Sequence, residues 1–353
     1  MVTTKENPEY TVIDPNAKPL PKYGHLSEPD PTFASLKPEL DQMMNAVWTP
    51  RLSLDKFREV WLTETPVPVS FPQEGRDVVT EVGKIPMRDG HKVSAKIYRR
   101  KERQRSGKSA LVMRFHGGGW VVGGHCTEHA ESLLIAGRTD CIVVSVEYRK
   151  APEYKFPYAP NDCFDATKWC KENALRLAVD AENIVLVGGS AGANLAAVVA
   201  IMARDEGITG IVGQALNFPA TVHPKFAPTD KYELGSYAQN HDASVVDAVR
   251  MEWFLDHYMP EPTDDWRLSC LLTPSLKNLP PAHIVVAGAD VLRDEGLAYA
   301  QRLEEEGNKV EVLIGPGLPH CYYSLFGHPK SVEYYERVLG FIERFAPGPL
   351  ERL

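Results

Sequence analysis

One serine in this sequence lies in a setting that suits a covalent nucleophile. Residues 184–187 (IVLV) are apolar and mostly β-branched, which predicts a buried strand. The pentapeptide GGSAG follows at 188–192, and residues 193–204 are rich in alanine and free of glycine and proline, which predicts a helix. A strand, a tight turn and a helix in this order form a nucleophile elbow, which exposes the serine Oγ at the carboxyl end of a sheet. Ser190 is therefore the candidate nucleophile.

A serine hydroxyl needs a histidine to accept its proton and a carboxylate to orient that histidine. Asp290 directly follows the predicted strand at 282–288, so we expect it at the carboxyl edge of the sheet. Asp294 is the rival acid, but it falls in the first turn of the next predicted helix, where the helix dipole favours a carboxylate in any case. We favour Asp290. His320 ends the segment GPGLPH at 315–320, which we expect to be a loop reaching back over the sheet.

Three consecutive glycines after another predicted strand are the candidate oxyanion hole. Without β-carbons, the backbones of Gly117, Gly118 and Gly119 can approach a substrate carbonyl closely. The N–H of Ala191, directly after the serine, adds a further donor. A dinucleotide-binding loop is not favoured, because a valine stands where G-x-G-x-x-G requires its third glycine.

Two further groups of residues have spacings that could suit ligand binding. His125 and His129 have the i, i+4 spacing of a metal pair on one helix face, but no third cluster of ligands accompanies them. We therefore predict no metal site and no cofactor. Aromatic residues at helical spacing between 251 and 258 favour packing between elements, with a pocket wall as the second interpretation. The candidate pocket residues are Trp120, Trp253, Phe254 and Tyr322.

The elements around these residues alternate between strands and helices. Residues 78–100 predict a hairpin around the turn at 88–90. Further strands are predicted at 110–115, 141–146, 184–187, 211–216, 282–288 and 310–314, and helices at 128–138, 161–173, 193–204, 293–305 and 332–344. Because strands alternate with helices and the central strands are largely apolar, we expect a mostly parallel, eight-stranded sheet covered by helices on both faces, an α/β fold.

Composition limits the partners and the compartment. The chain has 353 residues, a formal net charge of −8, 43% hydrophobic and 24% charged residues, as in an ordinary globular protein. The negative charge argues against nucleic acid as a partner. The polar N-terminus predicts no signal peptide, and no apolar run approaches the roughly 18 residues that predict a transmembrane segment. The six scattered cysteines favour reduced thiols and a cytoplasmic location.

As a set, four segments resemble the hormone-sensitive-lipase-like branch of the α/β-hydrolase fold, which includes many carboxylesterases. They are HGGGWVVGG (116–124), VEYRKAPEYKFPYAPNDCFDATKW (146–169), VLVGGSAGAN (185–194) and LPPAHIVVAGADVLRDEG (279–296). The resemblance extends from about residue 78 to the C-terminus. It implies a triad of Ser190, Asp290 and His320, in the chain order of this fold, and an oxyanion held mainly by Gly118, Gly119 and Ala191.

The resemblance also implies a domain organisation and an activity. A core of residues 76–219 and 276–353 would carry a helical cap built from residues 1–75 and an insertion at 220–275. We expect hydrolysis of short- to medium-chain carboxylic esters through an acyl-enzyme, with a small-molecule ester as partner and a homodimer left open. The same triad also suits acyl transfer or cleavage of amides, lactones or thioesters. Receptors and non-hydrolytic cyclases share the fold but typically lose a triad member.

Four positions depart from the family pattern. Gly189 replaces the usual aspartate and Ala193 the usual glycine, and both positions shape the elbow. After His320, the usual Gly-Phe is Cys321-Tyr322 here. Cys321 could be redox-sensitive beside the base, but a buried packing thiol is the favoured interpretation.

Overall fold

The computed structural model describes residues 22–48, 53–62, 66–102 and 108–346, and the structural statements below refer to these residues. Residues 1–21, 49–52, 63–65, 103–107 and 347–353 lie outside these ranges. The strands are β1 (Val78–Pro86), β2 (Lys92–Arg100), β3 (Ser109–Phe115), β4 (Ile142–Glu147), β5 (Val179–Gly189), β6 (Ile211–Asn217), β7 (Ala282–Ala289) and β8 (Val310–Pro319).

The α-helices of the described ranges lie before, between and after these strands. They are α1 (Pro31–Val47), α2 (Leu54–Trp61), α3 (His129–Thr139), α4 (Tyr158–Glu172), α5 (Ala174–Leu177), α6 (Ala191–Asp205), α7 (Ser236–Gln239), α8 (Ala248–Tyr258), α9 (Arg293–Glu305) and α10 (Pro329–Glu343). None of the helices described here is long and apolar enough to cross a membrane.

The strands form one eight-stranded sheet in the order β1-β2-β4-β3-β5-β6-β7-β8. The first two strands pair antiparallel around the turn at 88–90, so the predicted hairpin is confirmed. β2 pairs antiparallel with β4, and every later pairing is parallel. The predicted α/β fold with a mostly parallel sheet is therefore confirmed. Parallel order matters for function because it brings the carboxyl ends of β3, β5, β7 and β8 to one edge.

The central strands of the sheet, including β3, β4 and β7, are buried on both faces, as continuous apolar strands require. Side chains of a strand alternate between faces. In β5, Ile184 and Leu186 therefore pack into one hydrophobic cluster, and Val185 and Val187 into a second one. The first cluster includes residues of α4, α6 and α9, and the second includes residues of α3 and α10.

Two strands are longer than the sequence predicts. The sequence predicts that β8 ends at residue 314 and that the glycine- and proline-rich segment is a loop, but β8 continues to Pro319. This expectation was wrong because β8 is the edge strand, where proline and glycine are tolerated. A register shift between Ala287 and Ala289 of β7 accommodates the irregular segment, after which Ala289 pairs with Pro319. β5 likewise begins at Val179 rather than at residue 184.

Residues outside the sheet meet in an aromatic cluster. Trp48, directly after α1, and Phe57 of α2 contact Trp253 of α8, with ring centroids 5.2 and 5.1 Å away. Phe254 of α8 lies 5.3 Å from Trp48. All four rings are buried. Edge-to-face aromatic contacts of this kind add to the apolar surface they bury, so α1, α2 and α8 pack as one unit.

Candidate active site

The serine elbow has the strained geometry that exposes a nucleophile. Ser190 has φ 57° and ψ −121°, a backbone conformation that costs on the order of 1–3 kcal/mol for a residue with a side chain. Its N–H donates to the carbonyl of Asn217 at 2.7 Å, which holds the turn in place. A β-carbon on Gly188 would collide with the carbonyl of Gly192, and one on Gly192 with that of Phe115. The two outer glycines of GGSAG are thus required by close packing of strand and helix.

The candidate acid and the candidate base lie side by side because they follow two paired strands. Ala289 of β7 pairs with Pro319 of β8, so the next residues, Asp290 and His320, lie next to each other. Oδ2 of Asp290 is 2.6 Å from Nδ1 of His320, and the two residues are only 1% and 2% exposed. The second oxygen, Oδ1, accepts a hydrogen bond from the N–H of Leu292 at 3.0 Å. Burial of the imidazole disfavours its charged form, but the Asp290 carboxylate outweighs this and raises the pKa of His320 well above its ordinary value.

Asp294, the rival acid, is engaged elsewhere. Its Oδ1 accepts a hydrogen bond from Nε of Arg293 at 2.7 Å, and its Oδ2 accepts one from the N–H of Ser236 at 2.9 Å. These contacts join the first turn of α9 to α7. Burial raises the pKa of Asp294 despite its ion pair with Arg293. Its geometry is that of a structural carboxylate.

The glycine loop lies against the elbow. A β-carbon on Gly117 would be 3.5 Å from Cβ of Ser190, which places the loop backbone beside the serine. Ala191 is the first residue of α6, so its N–H has no partner within the helix and remains available to an anion. Gly119 has φ +55° and lies under the ring of Phe254, where no β-carbon would fit. The loop therefore contacts the serine on one side and α8 on the other.

His116, which the sequence analysis did not single out, supports this loop. Its imidazole stacks on Tyr148 at 4.2 Å, and Nδ1 is 2.8 Å from the carbonyl oxygen of Gly117. Burial, together with the charge of Lys150, lowers the pKa of His116 to about 3, so the ring stays neutral. A neutral Nδ1–H can donate to that carbonyl and fix the start of the loop.

Glu128 is a second residue that sequence reasoning missed. Its Oε1 accepts a hydrogen bond from the N–H of Gly117 at 3.0 Å. The same oxygen would be 2.8 Å from a β-carbon on Gly189. The signal available in the sequence was the missing side chain at Gly189, which leaves room for a group from elsewhere.

The four predicted pocket residues separate in the structure. Phe254 contacts the glycine loop, whereas Trp253 belongs to the aromatic cluster with Trp48 and Phe57. Trp120 is buried and stacks on Tyr258 at 4.7 Å. Tyr322 is buried against Phe218, 5.3 Å away, within the core cluster that α10 covers. Of the four, Phe254 is the one in contact with the candidate oxyanion hole.

The remaining candidates take part in other contacts. His125 lies between the hydroxyls of Ser145 and Ser94, and Nδ1 of His129 is 3.1 Å from the hydroxyl of Tyr98. Within the described ranges, no group of three or more histidine, cysteine, aspartate or glutamate side chains is arranged to hold a metal ion. Cys321, expected to be buried, is only partly so; it packs against the core and has φ 57°.

Comparisons with known proteins agree with this architecture. A family model described as "alpha/beta hydrolase fold" matches residues 112–324. Carboxylesterase NlhH of Mycobacterium tuberculosis is 38% identical over 240 residues, which cover 66% of this chain and 73% of that protein. An arylesterase of Saccharolobus solfataricus is 36% identical over 269 residues, which cover 73% of this chain and 80% of that protein.

Solved structures resemble the chain over most of its length. Vibralactone cyclase superposes with a TM-score of 0.81 at 28% identity, covering 91% of this chain and 96% of that one. A hyperthermophilic esterase from the archaeon Pyrobaculum calidifontis superposes with a TM-score of 0.74 at 31% identity, covering 90% of this chain and 98% of that one. The family match, the relatives and the shared sheet lead to one conclusion: this chain belongs to the α/β-hydrolase fold family, in its hormone-sensitive-lipase-like branch.

Proposed function

We propose that this chain is a carboxylesterase-type serine hydrolase with Ser190 as nucleophile, His320 as general base and Asp290 as the orienting acid. The observation that carries the proposal is the 2.6 Å contact of Asp290 with His320. It lies at the carboxyl ends of the parallel strands, where the elbow also holds Ser190 in a strained turn. Esterases among both the relatives and the similar structures support ester cleavage as the reaction.

In the acylation step, Oγ of Ser190 attacks the ester carbonyl carbon while Nε2 of His320 takes the hydroxyl proton. With Nδ1–H donated to Asp290, Nε2 is the nitrogen free to act as base. The negative charge that develops on the carbonyl oxygen is held by N–H groups of Gly118, Gly119 and Ala191. The tetrahedral intermediate then expels the alkoxide, which receives the proton from His320, and an acyl-enzyme remains.

In the deacylation step, water replaces the alcohol. His320 removes a proton from the water, whose oxygen attacks the acyl carbon of the Ser190 ester. Collapse of the second tetrahedral intermediate releases the acid and returns the proton to Oγ of Ser190. Neither step requires a redox group, since no electrons leave or enter the substrate.

We assign the cap to residues 1–75 and 220–275, on a core of residues 76–219 and 276–353. Support for this division comes from the aromatic cluster of α1, α2 and α8 and from the contact of Phe254 with the glycine loop. The proposed substrates are small esters with short or medium acyl chains. Trp120, Trp253, Phe254 and Tyr322 stay candidate pocket residues in this proposal.

The test is a stopped-flow time course with p-nitrophenyl butyrate, wild type beside Ser190→Ala. We expect a burst or steady turnover in the wild type that is absent in the variant. Turnover that survives in Ser190→Ala would contradict the covalent serine mechanism. A folded wild type that is inert towards a series of acyl lengths would contradict the esterase function.

A second candidate function is acyl transfer to an acceptor other than water, including an internal hydroxyl. The similarity to vibralactone cyclase over 91% of the chain favours this candidate over the others considered. Product analysis separates the two functions: with an added alcohol, a transferase forms the new ester in preference to the free acid. Predominant release of the acid would favour hydrolysis.

Partner and compartment follow from the same proposal. The partner is a small-molecule ester, and a homodimer is compatible with it. A cytoplasmic location is supported by the six cysteines, all of which lie in described ranges and none of which forms a disulfide.

A further inference from the structure

The oxyanion loop rests on a buried carboxylate that belongs to neither the triad nor the glycine motif. Glu128 precedes α3 and is 5% exposed. Its Oε1 accepts the N–H of Gly117 at 3.0 Å, which is a direct link to the first residue of the loop. Oε1 can accept this hydrogen bond in either protonation state of the carboxyl group, and the bond is stronger when the group is ionised.

The same oxygen lies beside the residue that precedes the nucleophile. A β-carbon on Gly189 would be 2.8 Å from Oε1 of Glu128, closer than real β-carbons approach such atoms. A β-carbon on Gly117 would be 3.0 Å from the carbonyl oxygen of Gly189 and 3.4 Å from Oε1 of Glu128. The carboxylate therefore fills a space enclosed by the backbones of the loop and the elbow, where residue 189 contributes no side chain.

The position of Glu128 is costly for folding. Nη2 of Arg114 is 3.6 Å from Oε1, but it hydrogen-bonds Glu131 at 2.6 Å instead. Oε2 of Glu128 has no hydrogen-bond partner among the described residues. Burial raises the pKa of Glu128 to about 7, although the charge of Arg114 opposes this. The other titratable groups that interact with Glu128 from neighbouring elements are Glu131, Tyr148, Tyr323 and Tyr335. A buried carboxylate that is only half satisfied contributes little to stability, so its contact with the loop needs another explanation.

We propose that Glu128 is a positioning residue for catalysis: its carboxylate holds the Gly117 amide and fills the space beside Gly189, and so sets the distance between the oxyanion loop and Ser190. This inference rests on the serine-hydrolase function proposed above. In this proposal the carboxylate beside the loop comes from Glu128, just before α3. An aspartate at position 189 could supply such a carboxylate from the elbow, but this chain has a glycine there.

The first test compares Glu128→Ala with Glu131→Ala. Both variants remove a carboxylate from the surroundings of Arg114, but only Glu128 contacts the loop. Displacement of the oxyanion donors by about 1 Å reduces the rate by roughly 10²-fold, so we expect kcat of Glu128→Ala to fall by about 10- to 100-fold with KM within about twofold. Glu131→Ala should lower the melting temperature at least as much and leave kcat within about threefold. Equal losses of kcat in the two variants would mean a merely structural role and would overturn the proposal.

The second test moves the carboxylate to the elbow. In Glu128→Ala, an aspartate introduced by Gly189→Asp has its β-carbon beside the vacated space, and the backbone of Gly189 lies outside the left-handed region. We expect this double variant to recover at least tenfold of the lost kcat. In the presence of Glu128, Gly189→Asp should instead lower kcat, because the β-carbon collides with Oε1 and two carboxylates share one site. If Gly189→Asp changed kcat in the same direction in wild type and in Glu128→Ala, the proposal would be overturned.

A third measurement separates this inference from the proposed function. The rate at which a fluorophosphonate labels Ser190 depends on the same oxyanion donors and needs no ester substrate. Labelling should slow in Glu128→Ala and recover in the double variant. A wild type that is labelled but cleaves no ester would refute the proposed function and leave the test of Glu128 intact. Unchanged labelling in Glu128→Ala would refute the role of Glu128 alone.

Discussion

Ser190 lies between two regions that are built in different ways. On one side, Asp290 and His320 are the residues that directly follow two paired strands, and the register of β7 and β8 brings them within 2.6 Å. On the other side, the glycine loop follows β3 and is held by side chains from outside the sheet. These are the imidazole of His116, the carboxylate of Glu128 and the ring of Phe254.

The difference shows two ways in which a fold can position groups for a reaction. Proton transfer requires side chains, and a strand end places a side chain through backbone register alone. Oxyanion binding requires backbone N–H groups, whose direction depends on the conformation of the whole loop. A loop of glycines has little conformational preference of its own, so buried neighbours must fix it. On the acid–base side, kcat should therefore depend most on substitutions of Asp290 and His320 themselves. On the oxyanion side, it should also depend on substitutions of the residues that pack around the loop.

The largest effect is expected on the acid–base side. His320→Ala removes the only proposed acceptor for the Ser190 proton, so kcat should fall by roughly 10⁶-fold, as in other serine hydrolases that lose this group. The measurement is steady-state hydrolysis of p-nitrophenyl butyrate, with the melting temperature as a control for folding. A variant that keeps more than about one hundredth of wild-type kcat would contradict the assignment of His320.

Asp290→Asn should reduce kcat by about 10⁴-fold, because the imidazole loses its orienting partner and its stabilising charge. The neighbouring carboxylate raises the pKa of His320, and His320 must be neutral to act as base. Loss of that charge lowers this pKa, so the acidic limb of the kcat/KM profile should move to lower pH in the variant.

The matched control for this variant is Asp294→Asn. Asp294 pairs with Arg293 and Ser236 rather than with the base, so we expect lower stability with kcat within about tenfold of wild type. Near-normal activity of Asp290→Asn beside an inactive Asp294→Asn would reverse the assignment of the acid.

On the oxyanion side, a substitution at one of the proposed donors should act through the side chain packed against it. Gly119→Ala drives a β-carbon into the ring of Phe254, so the loop must shift and kcat should fall by roughly 10²-fold. Phe254→Ala removes the obstacle, so kcat should be higher in the double variant than in Gly119→Ala alone. If Phe254→Ala brings no recovery, the strain of the left-handed backbone at Gly119 rather than the contact with α8 dominates.

The smallest effect concerns stability. Burial raises the pKa of Glu128 from 4.5 to about 7, so the folded state retains a proton that the unfolded state has released between these values. The free energy of unfolding of the wild type should therefore decrease through this pH window. Glu128→Gln does not titrate, so its melting temperature relative to wild type should rise by a few degrees between pH 4.5 and 7 and then level off. A constant difference across this range would contradict a buried, titrating Glu128.

The sequence predicts the acid–base side well because the information is local. Apolar runs that end shortly before Asp290 and His320 indicate strand ends, and the hairpin turn and the Gly-x-Ser-x-Gly elbow have equally local signals. The one error there, the expected loop at residues 315–319, arose because edge position is a property of the assembled sheet. The residues of a single strand do not indicate its position in the sheet, so the prolines and glycines of this segment predict a loop.

The sequence by itself determined the fold class, the nucleophile elbow and the candidate acid and base, since periodicity and small residues in turns act over short distances. Only the tertiary structure decided between Asp290 and Asp294 as partner of His320, and only it brought Glu128 beside Gly189 and Phe254 onto Gly119. These contacts join residues from separate elements, and their geometry depends on how strands, helices and cap residues pack. Such packing has no signature in the spacing of residues along the chain, which is why the supports of the oxyanion loop became visible only in three dimensions.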